Sequence, residues 1–230
     1  MSLYIVLAAV LVMAVFAIVV SYREDHPKKK KLSWSALTQG DEKGRTMTLA
    51  KQSEKKYTYA DYLTWPKEGR WELIDGAPYN MTPAPSTRHQ NVVVLFSRVL
   101  GNKLSGGPCR LFIAPTDVVL SELDVVQPDV FVVCDKKKIT EANVQGAPNL
   151  ILEVLSPATT LKDRREKKAL YEKHGVLEYL IIDPMGKTVE RHILKNERYN
   201  APEIFGMQDA LPLHSLDGIE IHLSAVFESE

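Results

Sequence analysis

Glu153 lies in the run NLILEVLSP, with Ile151 and Leu152 before it and Val154 and Leu155 after. An ionised carboxylate inside such an apolar strand costs several kcal/mol unless it is paired, protonated or bound to a metal. Asp129, in VVQPDVFVV, opens a second apolar run behind Pro128. Two acids on adjacent buried strands can converge on one cation. Oxygen ligands in that number suit Mg²⁺ (or Mn²⁺), which keeps several waters and takes one or two protein carboxylates. If the two carboxylates stand more than about 8 Å apart, they cannot share one such ion with ligand bonds near 2.1 Å. The residues alone leave an alternative open, in which Asp129 is a turn residue and Glu153 pairs with a buried Arg or Lys. Farther along, Asp163, Lys167, Tyr171 and His174 recur at i, i+4, i+8 and i+11 and so share one helix face. Lys167 on that face can orient a water and offset charge on a phosphate; a solvated face of DRREKK is the competing reading.

These groups must be carried by a sheet and helices. Thr58 and Asp61 approximate a capping box, which predicts a short helix over Tyr59–Trp65 closed by Pro66 and Gly69. Arg70–Gly76 reads as a strand ending in a turn, with Ala77–Met81 pairing back. Ser86 caps a helix over Arg88–Lys103, whose Val92, Leu95, Phe96, Val99 and Leu100 fall at helical spacing. Strands follow at 110–114, 117–120 and 129–134, and the run VFVVC looks buried on both faces. Leu150–Leu155 is another buried strand. A helix over Leu161–His174 ends at Gly175, then Glu178–Asp183 and Thr188–Leu194 form a hairpin, and short strands finish the chain. No repeat at solenoid spacing is present. The order predicts an α/β (α+β) fold with a mixed sheet and helices packed against it.

The 230 residues carry 29 Lys+Arg and 29 Asp+Glu, but this neutrality is a sum of unlike parts. Leu3–Val20 is an uninterrupted apolar run followed by Arg23 and Lys28–Lys31, which predicts a transmembrane anchor over residues 1–22 and a basic, polar linker over 23–56. The cationic flank places the following chain in the cytoplasm. A secretory signal peptide and a translation start at Met47, which would leave a cytoplasmic protein, are the other readings. Beyond residue 46 the chain holds 22 basic and 25 acidic residues, so bulk charge cannot bind DNA. Any nucleic-acid role falls to neutralised carboxylates or a local patch such as Lys136–Lys138, which an exposed turn explains equally well. Cys109 and Cys134 read as buried thiols, and Trp65 and Trp71 as the edge of the core. There is no phosphate-cradling glycine loop, zinc spacing or nucleophile elbow.

Trp71–Gly76, His89, Pro128-Asp129, Ile151–Pro157, Asp163, Glu166-Lys167, Tyr171, Gly175–Tyr179 and Asp183-Pro184 together resemble the Uma2 family of the PD-(D/E)XK nuclease-like superfamily. The resemblance covers about Tyr57–Glu228 and is most specific from Glu153 to Pro184. It implies a restriction-endonuclease-like mixed sheet flanked by helices over residues 57–230 and a Mg²⁺-dependent site. Asp129 matches the acid of the first half-motif and Glu153 that of the E-x-K half. Position 155, where that motif has lysine, is Leu155; Lys167 on the following helix stands in for it. Glu72 and His89 match positions that complete the site, and Asp117 is a weaker candidate. The implied chemistry is hydrolysis of DNA phosphodiester bonds, with Asp129 and Glu153 on the metal, Lys167 on the water or the developing charge, and His89 as a proton shuttle or a hydrogen-bond partner of a carboxylate. A homodimer fits two-fold DNA cleavage, although no residue marks one. The alternative is a non-catalytic, membrane-tethered binding or regulatory module that keeps the fold.

Overall fold

A computed structural model describes residues 55–66, 69–81, 84–157 and 159–227. The predicted anchor and nearly all of the predicted linker lie outside the described residues. Among the described residues no helix is long and apolar enough to cross a membrane.

The one-turn helix α1 (Tyr59–Tyr62) is held by the expected box: Thr58 Oγ1 accepts from the Asp61 N–H, and the Asp61 carboxylate accepts from the Thr58 N–H at 2.8 Å. Strands β1 (Trp71–Ile74) and β2 (Ala77–Asn80) form a hairpin in which Glu72 faces Tyr79. Its turn uses Asp75 and Gly76, both at positive φ, as a two-residue hairpin of this twist requires. Helix α2 (Thr87–Leu104) starts at Ser86, whose Oγ accepts from the His89 N–H. Then come β3 (Arg110–Ile113), β4 (Val118–Ser121), β5 (Asp124–Val126), β6 (Val130–Val133), β7 (Val144–Gln145) and β8 (Leu150–Val154). The next helical segment has three parts: α3 (Thr160–Lys162), a π turn (Asp163–Lys167) and α4 (Lys168–His174). Gly175, at φ 81°, ends it in the left-handed conformation that suits glycine. Strands β9 (Glu178–Asp183), β10 (Thr188–Lys195), β11 (Arg198–Tyr199), β12 (Glu203–Gly206), β13 (Ala210–Pro212) and β14 (Glu220–His222) complete the fold.

The expected single mixed sheet is divided. The larger sheet runs β11-β10-β9-β8-β6-β3, with β12 also on β10; a smaller one runs β2-β1-β5-β4-β7; β13 and β14 pair separately. The division comes from β5, which the sequence pattern did not reveal. It pairs antiparallel with both β1 and β4 and draws the N-terminal hairpin away from the larger sheet.

The central strands are buried on both faces, as their continuous apolar runs require. Val130, Val132, Leu150, Leu152 and Leu180 face α2 and the C-terminal residues Leu211, Leu213, Ile221 and Phe227. Phe131, Val133, Ile151 and Ile181 face the other way, onto Leu170, Tyr171, Tyr179 and the smaller sheet's Ile74, Val118 and Val126.

One expectation is corrected. Cys109 and Cys134 are not free thiols but a disulfide. Strands β3 and β6 pair antiparallel with Arg110 opposite Val133, so the next opposed positions are the two cysteines, whose side chains meet on one face.

Candidate active site

Strand parity decides where the acids point. In the antiparallel β6–β8 pair Val130 lies opposite Leu152 and Phe131 opposite Ile151. Carried one step farther, this register sets Asp129 opposite Glu153, and directly opposed Cα atoms are about 4.5–5.5 Å apart. Both acids have the parity of Phe131 and Ile151, so both face α4 and the π turn. The Asp129 carboxylate caps the strand end, with its Oδ2 accepting from the Val154 N–H at 2.8 Å.

Lys167 reaches the acids through space. Lys167 Nζ lies 2.8 Å from Glu153 Oε1 and 2.9 Å from Glu72 Oε1, with its side chain only 2 % exposed. Tyr171, one turn on, donates to the same Glu153 oxygen at 2.7 Å. Glu72, fully buried on β1, also accepts from the Gln127 N–H through Oε1 and from Lys162 Nζ through Oε2, at 3.1 and 2.7 Å. His89, buried in the first turn of α2, places Nε2 3.1 Å from Asp129 Oδ2. Asp129, Glu153, Lys167, His89 and Glu72 are thus brought into one cluster.

Asp117 is not part of it. Its Oδ1 accepts from Tyr62 and Gln127, one link removed through the Gln127 backbone N–H on Glu72. His174 shares the helix face but meets Asp124 instead, at 2.9 Å. Lys136–Lys138 form a 3₁₀ turn capped by Asp135, and Lys138 donates to the Ala147 carbonyl.

Two members of the cluster were missed as site residues. Asp163 is buried at the start of the π turn beside Lys167. Lys162 comes from the preceding helical turn, where a sequence of alternating charges reads as a solvated face. Its only sequence signal is position: one residue before Asp163 and five before Lys167. Asp163 and Lys167 are both buried in a π turn, and such insertions recur at functional sites.

The electrostatics follow from this crowding. Around Glu72, Asp129, Glu153 and Asp163 the described ion pairs with lysine come from Lys162 and Lys167. Burial pushes Glu153 up to about 8; Lys167 opposes this, while Asp129, Asp163 and Glu72 add to it. Burial also raises Asp163. For Glu72, burial is outweighed by Lys167 and Lys162, which hold it below the usual carboxylate range. Burial alone would lower Lys167, but Glu153, Glu72 and Asp163 hold it well above the usual value.

An unbalanced carboxylate pair of this kind has the chemistry of a divalent-cation site. The bonds described use Oδ2 of Asp129 and Oε1 of Glu153, leaving Oδ1 and Oε2 as ligand atoms. Among the described residues no group of three or more His, Cys, Asp or Glu side chains is arranged around a metal position. Mg²⁺ requires fewer, since one or two carboxylates and several waters suffice, so the donor set fits.

Comparison with known proteins agrees with this arrangement at the level of fold and family. The model of the family Uma2, described as "Putative restriction endonuclease", matches residues 59–224. An uncharacterised protein, slr1290, from Synechocystis sp. is 31 % identical over 131 residues, covering 55 % of this chain and 68 % of that protein. A crystal structure from Anabaena variabilis ATCC 29413, titled as "a putative nuclease belonging to DUF820", superposes with a TM-score of 0.59 at 20 % identity, over 74 % of this chain and 97 % of that one.

Proposed function

Since the chain belongs to the Uma2 family of restriction-endonuclease-like proteins, we propose that it is a divalent-metal-dependent endonuclease that hydrolyses DNA phosphodiester bonds. The observation that carries this reading is the opposed pair Asp129 and Glu153 with the Lys167 ammonium on Glu153. Asp129 Oδ1 and Glu153 Oε2 would hold Mg²⁺ or Mn²⁺. A cation bound there polarises a phosphoryl oxygen and lowers the pKa of a water. Lys167 and Tyr171 fix Glu153 through Oε1, which leaves Oε2 free for ligation. His89 fixes Asp129 in the same way from α2, the role of hydrogen-bond partner rather than shuttle. Glu72 shares Lys167 with Glu153 and is further held by Lys162 and the Gln127 N–H, so it acts as a partner to the lysines.

The test is cleavage of plasmid, linear and single-stranded DNA with Mg²⁺, Mn²⁺ or EDTA. Wild type cuts only with metal, and Asp129→Asn and Glu153→Gln do not cut. Cleavage that survives Glu153→Gln refutes the site. The second reading, a non-catalytic module with this fold, is favoured by one observation: Glu153 and Glu72 already have lysine counterions. Metal-independent DNA binding without cleavage would support it.

The apolar run Leu3–Val20 would tether the domain to a membrane, with the domain cytoplasmic. The Cys109–Cys134 bridge weighs against that side, because disulfides persist mainly in oxidising compartments. Membrane fractionation tests the tether, and a fully soluble full-length protein rejects it.

A further inference from the structure

The cluster holds two lysines whose surroundings differ in kind. Lys167 is buried, and its ammonium is shared between Glu153 Oε1 and Glu72 Oε1. With its side chain only 2 % exposed, it presents little surface to an incoming phosphate. Lys162 approaches Glu72 from the other oxygen, at 2.7 Å, with 16 % of its side chain exposed. Among the described residues its ammonium also meets Met81 Sδ at 3.8 Å and the Tyr79 ring, whose centroid is 5.1 Å away, and it acts on the Asp163 carboxylate through charge. An ammonium has three donors. One is engaged by a carboxylate, and among the described residues no second carboxylate hydrogen bond is made by the others, which meet a thioether and a π face.

The acids outnumber the lysines around it, so a polyanion meets repulsion unless a cation at the mouth offsets it. We propose that Lys162 is the residue that contacts the substrate, donating to a non-bridging oxygen of a nucleic-acid phosphodiester, while Lys167 is a positioning residue that never leaves its two carboxylates. The proposal rests on the phosphodiesterase reading above and assigns to Lys162 a role that the helix pattern gave to Lys167. Tyr79 and Met81 flank the ammonium, and Glu72 sets its direction.

The experiment is fluorescence anisotropy of the full-length protein with a labelled DNA duplex in Ca²⁺, which occupies carboxylate sites without supporting cleavage, titrated over a salt series. One phosphate contact contributes about 0.9 to the slope of log K against log salt on duplex DNA. Lys162→Gln, whose amide can still donate to Glu72, lowers the slope by about that amount, and Lys162→Arg retains it. The slope reads the charge contact independently of fold stability, which is followed by Tm. A slope unchanged in Lys162→Gln, with wild type binding DNA, overturns the inference and leaves the phosphodiesterase reading intact. An equal loss of slope in Lys162→Arg also overturns it, since the effect would then be structural. Absence of DNA binding by wild type overturns both.

Discussion

Replacing Lys167 with methionine keeps most of the side-chain volume and removes the ammonium that lies 2.8 Å from Glu153 and 2.9 Å from Glu72. Glu72 retains Lys162 at 2.7 Å, so Glu153 is the group chiefly stranded. Removing one partner of a buried ion pair costs about 3–5 kcal/mol. A stranded carboxylate can escape by taking up a proton, and the size of the loss therefore depends on pH. In the wild type Glu153 is raised by burial to about 8 from 4.5. A carboxyl raised on folding contributes stability that is complete below its unfolded pKa and is lost as pH rises through the folded value. Without Lys167 the folded values of Glu153 and Glu72 both move up. The deficit of Lys167→Met relative to wild type is therefore smallest near pH 5 and widens toward pH 9, where it approaches the full cost. For a unit spanning residues 53–230, each kcal/mol moves Tm by about 2–4 °C, so the drop at pH 9 is about 6–20 °C. Thermal melts at pH 5, 7 and 9 measure it. Adding Glu153→Gln to Lys167→Met removes the stranded charge and recovers part of the loss, with a coupling of about 0.5–3 kcal/mol. A Lys167→Met variant within about 1 kcal/mol of wild type at pH 9, or a deficit that shrinks as pH rises, refutes the paired-charge account.

Glu178 is fully buried and accepts from the backbone N–H groups of His214 and Ser215 and from Ser215 Oγ; Glu178→Gln turns an amide donor onto donors and costs about 2–3 kcal/mol, read by chemical denaturation. Gly175→Ala meets no atom within 4 Å but must hold φ near 81°, so the cost is conformational, about 1 kcal/mol by the same measurement. Reducing Cys109–Cys134, a bridge across a separation of 25 residues, lowers stability by about 3.5 kcal/mol from loop closure, and a Tm unchanged by reductant contradicts the bridge.

The parts of the site that local pattern specifies were legible in the sequence. A lone acid in an uninterrupted apolar strand marks Glu153, Pro128 marks the start of the strand behind Asp129, and helical spacing placed Asp163, Lys167 and Tyr171 on one face. The structure brings these together because strand parity and helix periodicity are properties of short segments. What was not legible depends on pairing between distant segments. Asp124–Val126 is too short and too mixed to read as a strand until β1 and β4 flank it, and with it goes the division into two sheets. The disulfide needs the register of β3 against β6, which no spacing of two cysteines reveals. Lys162 sits among charged residues whose pattern matches a solvated face, and the approach of Glu72 from the N-terminal hairpin gives it a carboxylate partner.

Whether Asp129 and Glu153 form a divalent-cation site is tested, without reference to any substrate, by titration of the full-length protein with Mn²⁺ followed by electron paramagnetic resonance of the free ion. The wild type binds saturably at one site, with binding competed by Mg²⁺ and lost in both Asp129→Asn and Glu153→Gln. Binding of equal stoichiometry and affinity in those variants, or no binding by the wild type, contradicts it.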